Sequence, residues 1–412
     1  MHDNPMNHKS SRRKPLHHKE SPLFAADRSG YWRQMRDLGP VVQIADGNPM
    51  LRGYYLTRGD DVRAALLDPE TYASPPKTFK IGAPGNPLPQ VPLACQTRAD
   101  HARFGRLLHP LFSPKALAPY ELVVRDRAAT SVAAIVAKGQ CDAVGVVDTF
   151  ALQALLAVCG IPPDDPRAGR LIKAAVVGDA NGRAEVELIS WLNGVLIAQV
   201  GNPDRPPGIL WPLLEALASG RDLPISKAEG VAVVLLLFSV AGIEMVAAAL
   251  SFALLRLARD PGMRARLSQD PAQIPAFVEE VLRLESPGPA IPRMATRDVT
   301  IGDVTIPAGS AVWLGLEAAG RENGGDEICT TSAGQIQRRR HWAFGAGMHR
   351  CLGMHLARLE IAAFLAEWLG RIPQFELDPD YTLALVHKPT GVSHLYSLIL
   401  RWGPSSSLGP TS

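Results

Sequence analysis

The sequence predicts a mainly α-helical chain with a small β region. Apolar residues recur at helical spacing through 120 to 222, through 274 to 286 and again after Cys351. A continuous apolar run at 230 to 257 is long enough for one deeply buried helix. The β signals are fewer: the strand-like start of GYYLTRGDDVRAALLD at 53 to 68, and an alternating stretch at 289 to 314 that turns at Gly302-Asp303 and Ala308-Gly309.

Composition narrows the class. In 412 residues, 43 Lys plus Arg stand against 40 Asp plus Glu, a formal charge of +3 that is too near neutral to argue for nucleic acid. Cys95, Cys141, Cys159, Cys329 and Cys351 are an odd number at irregular spacings, which is no disulfide framework and fits a reducing cytoplasm. The polar, basic start, MHDNPMNHKSSRRKPLHHKESP, lacks an apolar run, so it is neither a signal peptide nor an anchor. Residues 1 to 21 read as a disordered basic arm, and 403 to 412 as a low-complexity tail.

In chain order, residues 26 to 38 read as a helix, and 53 to 68 as a strand running into a helix capped near Asp60. Residues 74 to 93 carry so much Pro and Gly that regular structure is excluded, and so long a loop is usually functional. Residues 100 to 117 are helical up to the break at Ser113-Pro114, and the helical stretch 120 to 222 is interrupted at 160 to 166 and 201 to 208. The run at 230 to 257 exceeds a bilayer core in length. Glu244 sits mid-span, however, the flanks lack an aromatic belt, and a helix buried in a large protein reads the same way.

Residues 344 to 360, FGAGMHRCLGMHLARLE, set a lone cysteine among glycines ahead of an amphipathic run. Leu352, Leu356, Leu359, Phe364 and Leu365 form an apolar stripe, so a helix is expected to begin near Cys351. A thiol there meets the positive end of the dipole and free N–H groups, which favour the thiolate. Gly345, Gly347 and Gly353 permit a sharp turn and the close approach of a flat ligand. Such a thiolate suits a soft metal. His349, Cys351 and His355 are an alternative zinc set, but structural zinc wants four ligands in paired units and no second pair is present. An inert cysteine at a helix start is the remaining alternative.

The spacing Phe344-x-x-Gly347-x-His349-x-Cys351-x-Gly353 resembles the haem-binding signature of cytochromes P450, and the resemblance runs in order over residues 22 to 402. It implies a single domain of the cytochrome P450 fold there, with haem b as cofactor and Cys351 as the thiolate on its iron. Phe344, Gly345, Gly353 and Ala357 would line the haem; His101, His349 and Arg293 would hold its propionates. The family has an Arg four residues after the first of these histidines. Gly105 stands there, so Arg103 or Arg106 would have to reach round. By the same resemblance 230 to 257 holds the long central helix, Ala241 and Gly242 open the oxygen-side groove, Glu244 is its acidic residue, and Met245 replaces the family's Thr. Glu280-x-x-Arg283, ahead of Pro287, resembles the buried structural ExxR. Residues 317 to 340 depart from the pattern. Arg321 and one of Arg338, Arg339 or Arg340 stand in for the arginines expected there, which leaves room for a loosely ordered meander. Residues 74 to 93 would close over substrate, and the roof near 165 to 215 would hinge at Asn202-Pro203, Pro206-Pro207 and Gly208.

The implied activity is a haem-thiolate monooxygenase that inserts one atom of dioxygen into a small apolar substrate. No Gly-rich dinucleotide motif follows a strand, so electrons are expected from a ferredoxin and its reductase. Arg103, Arg106, Arg350 and Arg358 are candidates for docking an acidic ferredoxin near Cys351. A cytoplasmic monomer without nucleic-acid or membrane partners completes the expectation. Met245, Gly105 and the atypical meander motivate two alternatives: a haem-binding ligand binder without monooxygenase activity, and a peroxide-driven haem-thiolate enzyme.

Overall fold

Local signals open the first elements of the computed structural model, which describes residues 15–45, 47–74, 98–165, scattered positions between 167 and 215, 242–322, 324–387 and 391–403, with backbone only at 98, 100 and 103. Ser21 accepts from the Phe24 N–H and starts α1 (Pro22–Ala26); Asp27 accepts from the Gly30 N–H and starts α2 (Arg28–Asp37). α2 is the helix expected at 26 to 38, and the short α1 precedes it. β1 (Val41–Ile44) pairs antiparallel with β2 (Gly53–Leu56). α3 (Gly59–Leu67) follows, with Asp60 and Asp61 in its first turn complementing the dipole, and then β3 (Tyr72–Ala73).

The strand reading of 289 to 314 resolves into β5 (Ile291–Ala295), a hairpin of β6 (Val299–Ile301) and β7 (Val304–Ile306) turning at Gly302, and β8 (Ala311–Leu314). Gly302 has φ +57°, the left-handed region where glycine costs least. The main sheet has the order β1-β2-β8-β5-β3, with β2 and β8 parallel and the other neighbours antiparallel.

The helical body comprises α4 (Arg98–Leu108), α5 (Pro114–Leu117), α6 (Glu121–Val136), α7 (Ala143–Val158), α8 (Met245–Arg259), α9 (Pro261–Gln269), α10 (Ile274–Leu284), α11 (Leu316–Glu322) and α12 (Met354–Arg371). β4 (Gln140–Asp142) precedes α7 and pairs with β12 (Ile399–Arg401), which also holds β9 (Glu376–Leu377); β10 (Leu385–His387) and β11 (Ser393–Leu395) form a separate pair. The apolar run is a core helix where it is described: residues 246 to 255 of α8 are all buried. Among the described residues no helix is long and apolar enough to cross a membrane. α12 packs against α6, α8 and α10, which carries Cys351 and the ExxR pair into one body. Glu360 on α12 is buried without a partner for Oε1, and burial holds its carboxyl well above the usual range, favouring the neutral form.

The stretch 317 to 340 is tied down, against the loose meander left open by its sequence. Arg283, 1% exposed on α10, donates from Nε and a terminal nitrogen to Glu280 Oε2 at 3.0 and 2.7 Å. Its remaining N–H groups reach the carbonyls of Gly320, Gly325 and Glu327 at 3.2, 2.9 and 2.9 Å. Arg339 closes the set in an unexpected way: its backbone N–H donates to Glu280 Oε1 at 2.8 Å, while its guanidinium bonds the Gly324 carbonyl. Arg321 lies elsewhere, bonded to Ser29, Asp326 and the Leu284 carbonyl.

The arm needs a second correction. Residues 15 to 21 are packed, with His17 and His18 buried among Tyr55, Trp313, Phe24 and Trp32, because aromatic surface is available to cover them. The loop expected at 74 to 93 lies outside the described residues after Ser74, and so do residues 230 to 241 and the tail after Gly403.

Removing one partner of a buried ion pair strands the other charge, which costs about 3–5 kcal/mol. Glu280→Gln should lower stability by that amount in urea unfolding; a loss below ~1 kcal/mol would remove the pair from its structural role.

Candidate active site

The Cys351 loop is built by close backbone approach. The Gly345 N–H donates to the Trp342 carbonyl at 2.7 Å and the Cys351 N–H to the Phe344 carbonyl at 2.9 Å, closing a tight turn. Gly347 has φ +66°, and a Cβ there would stand 2.7 Å from the Leu66 carbonyl oxygen at the end of α3. Only glycine meets both conditions. A Cβ on Gly353 would meet nothing within 4 Å, so the space beside the thiol is open. The helix begins later than expected, at Met354 with Gly353 as its cap, which sets Cys351 just ahead of the first turn.

Cys351 is solvent-accessible yet densely surrounded by protein. Burial pushes its thiol up, against the Gly353 N–H and the positive charges of Arg358 and Arg350. His349, Cys351 and His355 do not converge on one metal position, and no three His, Cys, Asp or Glu groups do so among the described residues.

His101 and His349 come together. Their rings meet edge to face with centroids 5.0 Å apart, and Ser74 Oγ lies 3.4 Å from His349 Nε2. His101 is 6% exposed; burial, then His349 and His109, push its pKa down to about 4. Gly105, where an Arg was expected, is covered by the His109 ring at 3.6 Å from its notional Cβ, while Arg106 points to solvent and the Arg103 side chain lies outside the described residues. Arg293 is buried on β5 and donates to the Pro292 carbonyl at 2.8 Å. Phe344 and Ala357 are half-buried against the core.

Sequence reasoning missed the network behind Phe344. Arg358 donates to both oxygens of Glu279, at 2.6 and 2.7 Å, and stacks 4.4 Å over the Phe344 ring. His341 Nε2 lies 3.1 Å from Glu279 Oε2 while its Nδ1 accepts from the Ala343 N–H, so Nε2 carries the proton. Burial alone would raise the Glu279 carboxyl; the hydrogen bonds and charges of Arg358 and His341 hold it down to about 2. Arg358 is thereby engaged, and of the arginines expected to dock a partner Arg350 and Arg106 are the exposed ones. His341 and Arg358 stand 62 and 79 positions after Glu279, so no local signal joins them.

Gly242, Ile243 and Glu244 are π-helical directly before Met245, the first residue of α8. Such turns break the regular ladder and are frequent at functional sites. Ala241 lies outside the described residues. The Met245 methyl is 3.6 Å from where a Cβ on Gly288 would stand, so the side chain packs against the chain leading into β5. Glu244 lines a small cavity with Asp148, Ser251 and His394, with room for about one water.

A single accessible thiol without neighbouring metal ligands suits a metal that brings its own equatorial ligands, and the paired imidazoles beside the loop suit anionic substituents. These residues therefore fit haem. The cytochrome P450 family model matches residues 213–324 and 330–385. The chain is 31% identical over 379 residues to a probable cytochrome P450 127A1 of Sinorhizobium fredii, covering 89% of this chain and 88% of that protein. It is 29% identical over 391 residues to a vitamin D(3) 25-hydroxylase of Pseudonocardia autotrophica, covering 90% and 93%. Among solved structures, that of CalO2 superposes with a TM-score of 0.79 at 25% identity, covering 93% of this chain and 98% of the other. The chain belongs to the cytochrome P450 family: it is a bacterial-type monooxygenase, an oxidoreductase, and its cofactor is haem b. Bacterial members draw electrons from redox partners such as ferredoxin.

Because Glu279 is held well below its ordinary 4.5, its stabilisation is complete above that value and is lost as pH falls from about 4.5 to about 2. Glu279→Gln should flatten acid unfolding across this window and cost on the order of 3 kcal/mol at neutral pH, read from urea midpoints. A wild-type acid transition unchanged in the variant would refute this.

Proposed function

We propose that this enzyme inserts one atom of dioxygen into a C–H or C=C group of a small apolar molecule, with Cys351 as the iron ligand and electrons from an external ferredoxin and its reductase, and that it works as a monomer. The observation that carries this reading is the accessible Cys351 thiol in a glycine-built turn with open space over Gly353. When bound, haem supplies the one-electron chemistry that activates dioxygen. Cys351 would hold it; burial raises the thiol, and the Gly353 N–H and the Arg358 and Arg350 charges oppose that rise without cancelling it, so the remaining pull towards the thiolate would come from the iron itself. Arg358 stacks on the Phe344 ring and holds it in the residues leading to Cys351. His101, His349 and Arg293 would hold the carboxylates, and Gly345 and Ala357 would line the macrocycle.

On the substrate side, Gly242, with Ala241, keeps side chains away from the reacting atoms, and Glu244 holds a proton source beside a water-sized cavity. Met245 accepts weakly and cannot donate, so it supplies no proton. A relative named for 25-hydroxylation of vitamin D(3) supports an apolar C–H as the point of attack. Exposed Arg350 beside Cys351, with Arg106, offers an acidic ferredoxin a place to dock.

Two experiments test the reading. Cys351→Ser or Cys351→His should abolish the long-wavelength absorption band that a thiolate ligand gives the reduced carbon monoxide complex, and an unchanged band in either variant would overturn the ligand assignment.

Coupling tests Met245. Losing one positioned donor typically costs ~100-fold or more, so NADH consumed through a surrogate ferredoxin chain should mostly appear as peroxide or water. Met245→Thr should raise the fraction recovered as oxygenated product. Ordinary coupling in the wild type, unaltered in the variant, would leave Met245 as packing against Gly288 alone.

A further inference from the structure

Three histidines that the proposed chemistry does not use meet where residues 15–21 lie against the sheet and against β10–β11. His17 and His18 are 0% and 1% exposed, with ring centroids 4.3 Å apart, and His18 lies 5.9 Å from His387 on β10. His394 on β11 pairs with Val386, so it lies on the other face of that strand pair and acts on His387 only through its charge. No three of these groups are placed to share a metal ion.

Each ring is held in its neutral form by its contacts. His17 Nδ1 accepts from the Lys19 N–H at 3.2 Å, and its buried Nε2 has no partner. A second ring proton would turn that acceptor into a donor aimed at another donor. His18 Nδ1 meets the Tyr55 hydroxyl at 2.5 Å, and its Nε2 is likewise buried and unpartnered. His387 Nδ1 lies 2.8 Å from Ser393 Oγ, with Ser393 itself fully buried.

Among the described residues no carboxylate bonds these rings. The charges that act on them are positive or titrate to positive: Lys19 and His387 on His17; His17, His387, Lys19 and Arg28 on His18; Arg28, Lys19 and His394 on His387. The remaining neighbours are the aromatic rings of Tyr55, Trp313, Phe24 and Trp32. The nearby acids are engaged: Glu317 by Arg28 and the Trp32 N–H, Glu285 by Arg28 and Arg256, and Glu20 by the Asn48 N–H.

We propose that this cluster is an acid-released latch, in which protonation of His17, His18 and His387 at mildly acidic pH frees residues 15–21 together with β10–β11 from the body of the enzyme. Because β11 packs on α8, release loosens the helix that begins at Met245. The sign follows from the buried rings. Their proton affinity in place is depressed first by burial and then by neighbouring positive groups, to about 3 for His17 and about 4 for His387. The closed latch is therefore at full strength above the ordinary 6.5 and weakens as pH falls towards those values. At about pH 5, one such ring shifts the opening equilibrium by roughly 30-fold.

Hydrogen exchange of the haem-loaded enzyme, read by mass spectrometry and corrected for intrinsic rates, tests this at about pH 7.5 and about pH 5. Opening of peptides spanning 15 to 26 and 385 to 396 should rise at least ~30-fold on acidification, while α6 keeps its protection. His17→Gln and, separately, His387→Gln each remove one titrating ring, and the rise should shrink by about that factor. His387→Gln leaves residues 15–21 untouched, so it decides the matter where the other variant folds poorly. Equal protection at the two pH values in the wild type, or the same rise in both variants as in the wild type, would overturn the latch.

Discussion

A fully buried guanidinium organises the approach to the thiol. Arg283 spends its donors on Glu280 and on three carbonyls of one segment, so it satisfies a charge in the interior and at the same time pins the chain from Gly320 to Glu327. Glu280 uses its second oxygen on the Arg339 N–H, which fixes where the chain enters the Cys351 turn. A pair in the interior gains little net stability over an apolar replacement, because desolvation offsets most of the attraction. What it supplies here is position, since the pair is satisfied only when α10, the segment after α11 and the segment before Phe344 are all in place.

The same logic recurs one residue earlier on α10. Glu279 takes Arg358 from α12 and His341 from the incoming chain, so adjacent acids on one helix hold the chain on both sides of Cys351 in sequence. The turn is clamped through side chains that leave Cys351 itself accessible. Rigid surroundings with one exposed donor suit a site that must accept a large planar group without reshaping.

How much of this was legible follows from the range of the interactions. The positive φ of Gly345 and Gly347 and the cysteine beside them are local features, so their spacing pointed directly to the turn and its ligand chemistry, although not to the Leu66 contact of Gly347. The β5 to β8 stretch was readable for the same reason, its hairpin being local. The start of α12 was misplaced because Leu352 fits the apolar stripe although it precedes the helix. The clamp of Glu279, Arg358 and His341, and the burial of His17 and His18, depend on partners from distant segments, and nothing near those residues in sequence announces them. Arg339 shows a subtler limit: a side chain was sought where a backbone N–H does the work.

Gly347 lies against the Leu66 carbonyl in the last turn of α3, so the Cys351 turn is referenced to an element from the opposite end of the chain. Contacts so distant in sequence form slowly, because a long loop must close before they contribute. The turn therefore cannot take its final shape during synthesis until the chain through Cys351 has emerged and met α3, which makes cofactor capture a late event in biogenesis.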